Sequence, residues 1–321
     1  MAAWLSWVAI APRDSRAAEK TVRPGIKAMQ TPMADLKPAA TIELGGDPDW
    51  MAVGDDAIWI SVSGQKAVCR IDVATNKVAA KVEFAGKPGS GLALGFGSLW
   101  VPLDEAPGIP AALARVDVAT NRIVATLPFG PADSEGGITT SGDSVWIVTD
   151  KAGTLARIDP TTNTVRQKIS VPAGSFNPLY AEGIVWVTGN ASNVLTAVDA
   201  KTGEVFGSTF VGPGPRFLTA GAGSIWTLNQ GDGSVTRIDA KSRRVVSTIA
   251  AGIPGAGGEI CFGAGAVWAT VIDIPLTRID AVTNAVTRQW TGVGGDAVRF
   301  GHRSIWLTDI KHGLLWRMPV P

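Results

Sequence analysis

Short apolar stretches recur along the chain, and each is bounded by Gly, Asn, Asp or Pro. The stretches are rich in β-branched residues, and apolar and polar positions alternate within them, as in Arg70-Ile71-Asp72. No segment keeps the roughly 3.6-residue period of an amphipathic helix. The pattern therefore predicts many short strands joined by tight turns, with little helix.

A repeat of about 40 residues is marked by seven tryptophans, each of which follows a turn signal and an aliphatic residue. An Arg-x-Asp marker and then a Thr-Asn marker follow in most copies, and each copy contains four strand-like stretches. Four antiparallel strands repeated seven times predict an all-β protein, a seven-bladed β-propeller. The marker tryptophans are Trp59, Trp100, Trp146, Trp186, Trp226, Trp268 and Trp306.

The two ends of the repeat region complement each other. The seventh copy ends after its third stretch, whereas Thr41 to Leu44 forms a strand-like stretch ahead of the first copy. We expect this N-terminal strand to pair beside the strand around Leu315 to Met318, because that pairing closes the ring and removes exposed sheet edges. The repeats thus predict one propeller domain over residues 40–321.

Residues 1–39 fall outside the repeats. Ala2 to Ala11 is a short apolar run, and Ser15-Arg16-Ala17 resembles a small-x-small cleavage site. We interpret residues 1–18 as a candidate secretory signal, which predicts a periplasmic or secreted protein. Glu19 to Lys37 is polar and contains proline, which is typical of a tether.

The repeated residues have structural interpretations. Each marker Trp is expected to fill the gap between adjacent blades, and each marker Asp to accept backbone N–H groups in an Asx turn. The marker Arg is expected to span a blade boundary. Cys69 and Cys261 lie in different blades and strand ranks, so we expect two small buried hydrophobes and no disulfide.

Charge and hydropathy exclude several function classes. Lys and Arg number 29 against 28 Asp and Glu, so the chain has no electrostatic signature of a nucleic-acid partner. No apolar run is long enough for a transmembrane segment. The 38 glycines and 20 prolines fit the many turns of a propeller.

Function is expected where the repeats differ. The positions nine and ten residues before each marker Trp vary between copies and should surround one mouth of the central channel, with glycines leaving room for a shallow pocket. Glu135 and Arg299 lie nearby in sequence, and His312 lies in a loop on the same face. The candidate residues for binding a small molecule or a protein partner are Asp49, Trp50, Asn177, Arg216, Phe217, Glu259, Asp296 and His312.

Candidate catalytic residues are few. The chain has two histidines, of which His302 is expected on the opposite face, so His312 is the sole candidate for a histidine general base. No Gly-x-Ser-x-Gly nucleophile motif occurs, and a histidine-based metal site lacks ligands. An oxygen-ligand site for Mg²⁺ or Ca²⁺ is an alternative, drawn from Asp49, Asn177, Glu259 and Asp296.

The repeat resembles the YVTN-type β-propeller family. The resemblance rests on Ile71 to Val101, with similar units such as RIDPTTNTVRQKISV, and extends over nearly everything from Ala40 onward. It implies a propeller, an exported location and a role in binding or interaction.

The chain is also similar to streptogramin (virginiamycin B) lyases, which are seven-bladed propellers. That family opens a cyclic depsipeptide ester with Mg²⁺, a His and Glu residues near the channel, and often has Glu three residues after the blade aromatic. Here the corresponding residues are Val62, Leu103, Thr149, Gly189, Asn229, Val271 and Asp309, and none is Glu.

The preferred hypothesis is an exported, non-catalytic propeller that binds a small molecule or a protein at the channel mouth. The alternative is a Mg²⁺- or Ca²⁺-dependent lyase or lactonase, in which His312 and Glu259 would stand in for the lyase residues.

Overall fold

Seven antiparallel sheets of four strands stand around a central channel, as the repeats predict. The computed structural model describes residues 24–320. Ahead of the first blade come β1 (Gln30–Pro32) and β2 (Ala40–Glu43). Short 3-10 turns lie at Lys27–Met29, Met33–Asp35, Ser63–Gln65 and Ile310–His312.

The first four blades follow the chain from inner to outer strand. Blade one has β3 (Pro48–Val53), β4 (Ala57–Val62), β5 (Ala67–Asp72) and β6 (Lys77–Glu83). Blade two has β7 (Ala93–Gly95), β8 (Ser98–Leu103), β9 (Ala112–Asp117) and β10 (Arg122–Leu127). Blade three has β11 (Ile138–Thr140), β12 (Val145–Val148), β13 (Thr154–Asp159) and β14 (Thr164–Ser170). Blade four has β15 (Ser175–Ala181), β16 (Ile184–Gly189), β17 (Val194–Asp199) and β18 (Val205–Phe210).

The last three blades complete the ring. Blade five has β19 (Pro215–Gly221), β20 (Ser224–Asn229), β21 (Ser234–Asp239) and β22 (Val245–Ala250). Blade six has β23 (Glu259–Gly263), β24 (Ala266–Val271), β25 (Ile274–Asp280) and β26 (Ala285–Thr291). Blade seven has β27 (Val298–Gly301), β28 (Ser304–Asp309) and β29 (Leu314–Met318), with β2 as its outer strand.

The closure of the ring is confirmed. β2 pairs antiparallel with β29, with Ala40 opposite Arg317 and Glu43 opposite Leu314. The first and last strands of the propeller thereby share one sheet, which leaves no open join between the ends of the chain.

The segment from Pro24 to Pro38, expected as the end of a tether, packs onto the propeller. β1 adds to blade six as a fifth strand, parallel to β26, and Met33 is buried beside Trp268 and Trp290. The added strand covers the outer edge of blade six. The candidate signal at residues 1–18 lies outside the described residues, and the domain boundary at residue 40 stays a prediction.

The marker tryptophans form the core between blades, as expected. All seven have at most 2% of their surface exposed. Four of them donate Nε1–H to the carbonyl five residues earlier, for example Trp226 to Gly221 O at 3.1 Å. Cys69 and Cys261 are buried and unbonded, and burial raises the pKa of the Cys261 thiol to about 12. No helix in residues 24–320 is long and apolar enough to cross a membrane.

The marker aspartates close the outer turns of blades one to six. Asp72 Oδ1 accepts from both the hydroxyl and the N–H of Thr75 at 2.7 Å, which is the expected Asx turn. The Thr75 hydroxyl, followed by its N–H, lowers the pKa of Asp72. Asn76 then takes a left-handed conformation with φ of 55°, which Asn tolerates better than most residues.

The marker arginines are predicted to span blade boundaries, and four of the six do so. Each of the four donates Nε–H to a serine two residues before the marker Trp and reaches the next blade with Nη1. In blades one and six, alanine (Ala57 and Ala266) replaces this serine. Arg70 and Arg278 donate instead to side chains of their own blades. The four spanning residues are Arg115, Arg157, Arg237 and Arg317, with Nε···Oγ distances of 2.8, 2.8, 2.9 and 3.0 Å.

This difference predicts unequal costs of removing the two kinds of arginine. Arg157 is 6% exposed, donates to Lys201 O at 2.8 Å and pairs with Asp143. Arg157→Ala should therefore lower the free energy of unfolding by about 2–4 kcal/mol. Arg70→Ala removes one pair with the exposed Asp56 and should cost less than about 1 kcal/mol. Urea unfolding of both variants measures this, and equal losses would contradict the boundary-spanning role.

Candidate functional site

The inner strands begin at one mouth of the channel, and the variable positions meet there as the repeat register predicts. Six of the seven positions nine residues before a marker Trp line a single central cavity of about 80 Å³, together with Arg299. We call this end of the channel, with the loops that enter it, the channel mouth. The six are Trp50, Gly91, Gly137, Asn177, Phe217 and Glu259.

The room left by the glycines is occupied by side chains from neighbouring blades. Trp50 lies against Gly91, where an added methyl carbon would be 3.3 Å from the indole ring. Asn177 lies against Gly137, where the added carbon would be 2.5 Å from Asn177 Oδ1. Trp50 also contacts Phe217 of blade five, with ring centres 5.7 Å apart. The pocket left at the mouth is consequently small, with room for a few water-sized groups.

Three buried polar atoms at the channel mouth lack a hydrogen-bond partner among the described residues. They are Trp50 Nε1, Asn177 Oδ1 and Arg216 Nε. Asn177 uses its other amide atom to donate to Arg216 O at 2.8 Å, which fixes the side chain with Oδ1 toward Gly137. Buried polar atoms are seldom left unpaired, so this wall of the cavity is suited to a polar ligand.

Glu259 and Arg299 form an ion pair inside the channel. Glu259 is 4% exposed, and its second carboxylate oxygen accepts from Val298 N at 3.0 Å. Burial raises the pKa of Glu259, against the lowering effect of the Arg299 guanidinium. Because removal of either partner would leave a buried charge, we interpret this pair as part of the channel wall.

Several carboxyl groups crowd the loops above this wall. Burial, followed by the charges of Asp296, Glu135 and Glu259, raises the pKa of Asp49 well above its ordinary value. Burial raises the pKa of Glu135 to about 7, with Asp296 adding to the rise and Arg216 opposing it. Both carboxyls are therefore harder to ionise than exposed acids, and a nearby positive charge would favour their ionised forms.

Asp104 adds a further carboxyl group to the channel mouth, from the loop between β8 and β9 of blade two. Burial raises its pKa to about 6, although the Ser90 hydroxyl donates to it at 2.9 Å. Asp133, in the loop before β11, pairs with Arg216 at 3.7 Å and with Lys151 at 3.6 Å. The acidic groups of the channel mouth are thus only partly matched by basic ones.

Arg216 joins the acidic loops to the aromatic wall. Its guanidinium carbon lies 4.6 Å from the ring centre of Phe176 and 5.9 Å from that of Phe217. Stacking on two aromatic faces holds the guanidinium at the channel mouth. Asp296 has a positive φ of 138°, and its carboxylate accepts from Gly258 N at 3.2 Å. The structure therefore places the predicted binding residues on this face, and four of them, Trp50, Asn177, Phe217 and Glu259, line the cavity.

The two histidines have separate, local roles. His312 is exposed in the loop after β28, and its Nδ1 lies 2.7 Å from Oδ2 of the buried Asp309. His302 lies on the opposite face, as expected, and donates from Nε2 to Gly54 O at 2.9 Å across the junction of blades seven and one.

The candidate metal ligands do not assemble as a set. Asp49, Glu259 and Asp296 influence one another electrostatically, but Glu259 is paired with Arg299 and Asn177 Oδ1 faces Gly137. Within residues 24–320, no group of three His, Cys, Asp or Glu side chains is arranged to hold a metal ion.

In the sequence, Glu135 and Arg299 are indicated only as neighbours of the candidate residues, and Asp104 is not among the predicted binding residues. Asp104 begins a loop, Asp104 to Pro110, that is longer than the corresponding loop of the other copies, and this extra length is the sequence signal. Its burial beside Ser90 depends on how that loop folds back, which no repeat position indicates.

Comparison with known proteins supports the fold. No family model matches the sequence, and no curated protein matches it. Among solved structures, the crystal structure of BamB from Moraxella catarrhalis is similar, with a TM-score of 0.63 and 10% sequence identity. The match covers 89% of this chain and 100% of that one. At this identity the likeness shows the β-propeller fold alone, and the resemblances to YVTN-type propellers and streptogramin lyases stay predictions.

Proposed function

We propose that the protein is a non-catalytic binding module whose channel mouth holds a small ligand carrying a cationic amine and a hydroxyl group. The proposal rests on Trp50 and Asn177, which both line the cavity and whose Nε1 and Oδ1 atoms lack a hydrogen-bond partner among the described residues. A location outside the cytoplasm is part of the proposal and rests on the apolar run at Ala2 to Ala11.

The two polar atoms specify the oxygen of the ligand. Trp50 Nε1 can only donate a hydrogen bond, and Asn177 Oδ1 can only accept one. A hydroxyl can accept from the first and donate to the second. The cavity of about 80 Å³ is large enough for such a group but too small for a bulky one.

The carboxyls specify the charge of the ligand. Asp49 and Glu135 form no salt bridge in residues 24–320, and the pKa of each is raised by burial and by neighbouring acids. An ammonium group placed among them would favour their ionised forms and neutralise their mutual repulsion. An anionic ligand would meet the same carboxyls with unfavourable charge.

The experiment uses three matched probes and the full chain. Binding of 3-amino-1-propanol, n-propylammonium and 1,3-propanediol is measured by NMR titration at pH 8. The amino alcohol should bind about tenfold more tightly than either probe that lacks the hydroxyl or the charge. Trp50→Phe should remove the advantage of the hydroxyl, and Glu135→Gln the advantage of the charge.

Glu204→Gln is the control, since Glu204 is exposed in an outer turn of blade four and should leave all three affinities unchanged. Equal affinities for the three probes would refute the proposal. Tight binding of Mg²⁺ or Ca²⁺ that disappears in Glu259→Ala would refute it as well, because Glu259 would then be a metal ligand rather than part of the wall.

A further inference from the structure

An open pocket lies between blades one and two, on the face opposite the channel mouth. Its volume is about 670 Å³, and its walls include Asp56, Trp59, Arg70 and Asn121. The strand-connecting turns that border it, at Gly54 to Asp56 and at Val118 to Asn121, belong to the repeat and recur at most blade junctions. The other junctions therefore show what normally occupies this position.

At three other junctions a guanidinium group occupies the corresponding space. Arg317 lies with its guanidinium carbon 5.3 Å from the ring centre of Trp306. Its Nη1 donates to Val73 O at 2.8 Å and to Asn76 Oδ1 at 2.9 Å in the next blade. Arg115 and Arg237 make the same set of contacts, each with the Asn of the Thr-Asn marker in the following blade.

The arginine of blade one is held elsewhere. Ala57 replaces the serine that fixes Nε of the other arginines, and Arg70 pairs instead with Asp56 at 2.6 Å. Its guanidinium carbon is 6.0 Å from the ring centre of Trp59. As a consequence Asn121 Oδ1, which corresponds to the acceptor Asn76 Oδ1, is buried without a hydrogen-bond partner in the described chain.

Trp59 also departs from the repeat. The carbonyl five residues before a marker Trp usually accepts from its Nε1, but here that carbonyl, Gly54 O, accepts from His302. No hydrogen bond of Trp59 Nε1 occurs within residues 24–320, and Trp59 lines the pocket. The pocket thus combines an aromatic face with unused polar groups.

We propose that this pocket binds a guanidinium group, supplied by an arginine side chain of a protein partner. A guanidinium placed as Arg317 is placed would donate to Asn121 Oδ1 and to the Val118 carbonyl. It would lie against the Trp59 ring next to the Arg70 guanidinium, which is paired with Asp56 and lies 6.0 Å from the ring centre. Asp55, exposed beside the entrance, favours a cationic group, whereas the charge of Asp56 is already matched by Arg70. The proposal concerns the face opposite the channel mouth and is independent of the ligand proposed there.

The planar fork of a guanidinium matches this site better than an ammonium does. Two parallel N–H donors are needed to reach a side-chain oxygen and a backbone carbonyl together, while the flat face stacks on an indole. A lysine presents a compact charge without that geometry. The pocket should therefore distinguish arginine from lysine as well as from an uncharged analogue.

The test follows the Trp59 indole N–H signal by NMR while the full chain is titrated with N-acetyl-arginine methylamide. The matched probes are the corresponding citrulline and lysine derivatives and free L-arginine. The arginine derivative should bind about tenfold more tightly than the citrulline and lysine derivatives. If the arginine derivative binds more tightly than free L-arginine, the guanidinium comes from a side chain of a protein partner. Tighter binding of free L-arginine would overturn the assignment to a protein partner.

Asn121→Gly removes the unpaired acceptor and suits the φ of 57° at this position, where blade four naturally has Gly203. It should weaken binding of the arginine derivative about tenfold. Asn163→Gly is the matched control, because Asn163 already accepts from Arg115 and should leave the affinity unchanged. Equal effects of the two substitutions, or no preference for arginine over citrulline, would overturn the proposal. Circular dichroism establishes that both variants are folded.

Discussion

Replacement of Trp146 by alanine is expected to lower the free energy of unfolding by about 3–5 kcal/mol. The indole is 0% exposed and packs between blades three and four against Leu155, Val185 and Val187. Its Nε1 donates to Ser141 Oγ at 3.0 Å, and Arg157 lies over its face at 5.2 Å. The substitution removes this packing at a boundary that cannot collapse, because both sheets are held in the ring. Urea unfolding measures the loss.

Trp316→Ala is the control for that experiment. Trp316 lies on β29 and is only partly buried, at the edge of the cluster that contains Met33. Its removal should cost less, about 1–2 kcal/mol, since part of the ring stays in contact with solvent in the folded protein. If Trp146 cost no more than Trp316, the marker tryptophans would not be the main contacts between blades.

The stability of the protein is expected to fall by roughly 3–5 kcal/mol between about pH 4 and pH 7. The pKa of Glu135 rises from 4.5 to about 7 on folding, so the folded state holds a proton that the unfolded state has lost. Stability therefore declines as the pH rises from the unfolded to the folded pKa. Glu135 contributes about 2–3 kcal/mol of this decline, and Asp104, with its pKa of about 6, adds about 1–2 kcal/mol after a discount for its exposure.

The outer-turn aspartates act in the opposite direction. Hydrogen bonds from the following turn lower the pKa of Asp72 and of Asp239. The stabilisation by these aspartates is therefore lost only when the pH falls below the pKa that they have in the unfolded chain. Maximum stability is therefore expected near about pH 4, as measured by urea unfolding across the pH range. Glu135→Gln should flatten the decline above about pH 4, and an unchanged slope in that variant would contradict the raised pKa.

The fold could be predicted from the sequence because the residues that determine the strands and turns of a blade recur in most copies of the repeat. The marker Trp, the Asp of the outer turn and the left-handed Asn each act within one blade or at its boundary, so their spacing gives the strand order and the ring. Even the difference among the marker arginines has a sequence signal, the serine two residues before the Trp, since Ala57 and Ala266 accompany the two arginines that do not span.

The site could be predicted only in part. Register alone placed Trp50, Asn177 and Glu259 at one channel mouth. It could not show that the glycines there accommodate neighbouring side chains, or that Asn177 is left with an unpaired oxygen. The raised pKa of Glu135 arises from burial and from residues far apart in the chain, so no local pattern encodes it. The packing of Pro24 to Pro38 on blade six was missed because three residues, Gln30–Pro32, give too short a strand signal.

Proton release on ligand binding tests the proposed channel-mouth site most directly. Calorimetric titration of 3-amino-1-propanol at pH 7, in buffers of different ionisation enthalpy, counts the protons exchanged. Because the pKa of Glu135 is about 7, this carboxyl is about half protonated there, and a bound ammonium should release about half a proton from it. Glu135→Gln should abolish that release. Binding with no proton release, or with the same release in Glu135→Gln, would contradict an ammonium site among the carboxyls of the channel mouth.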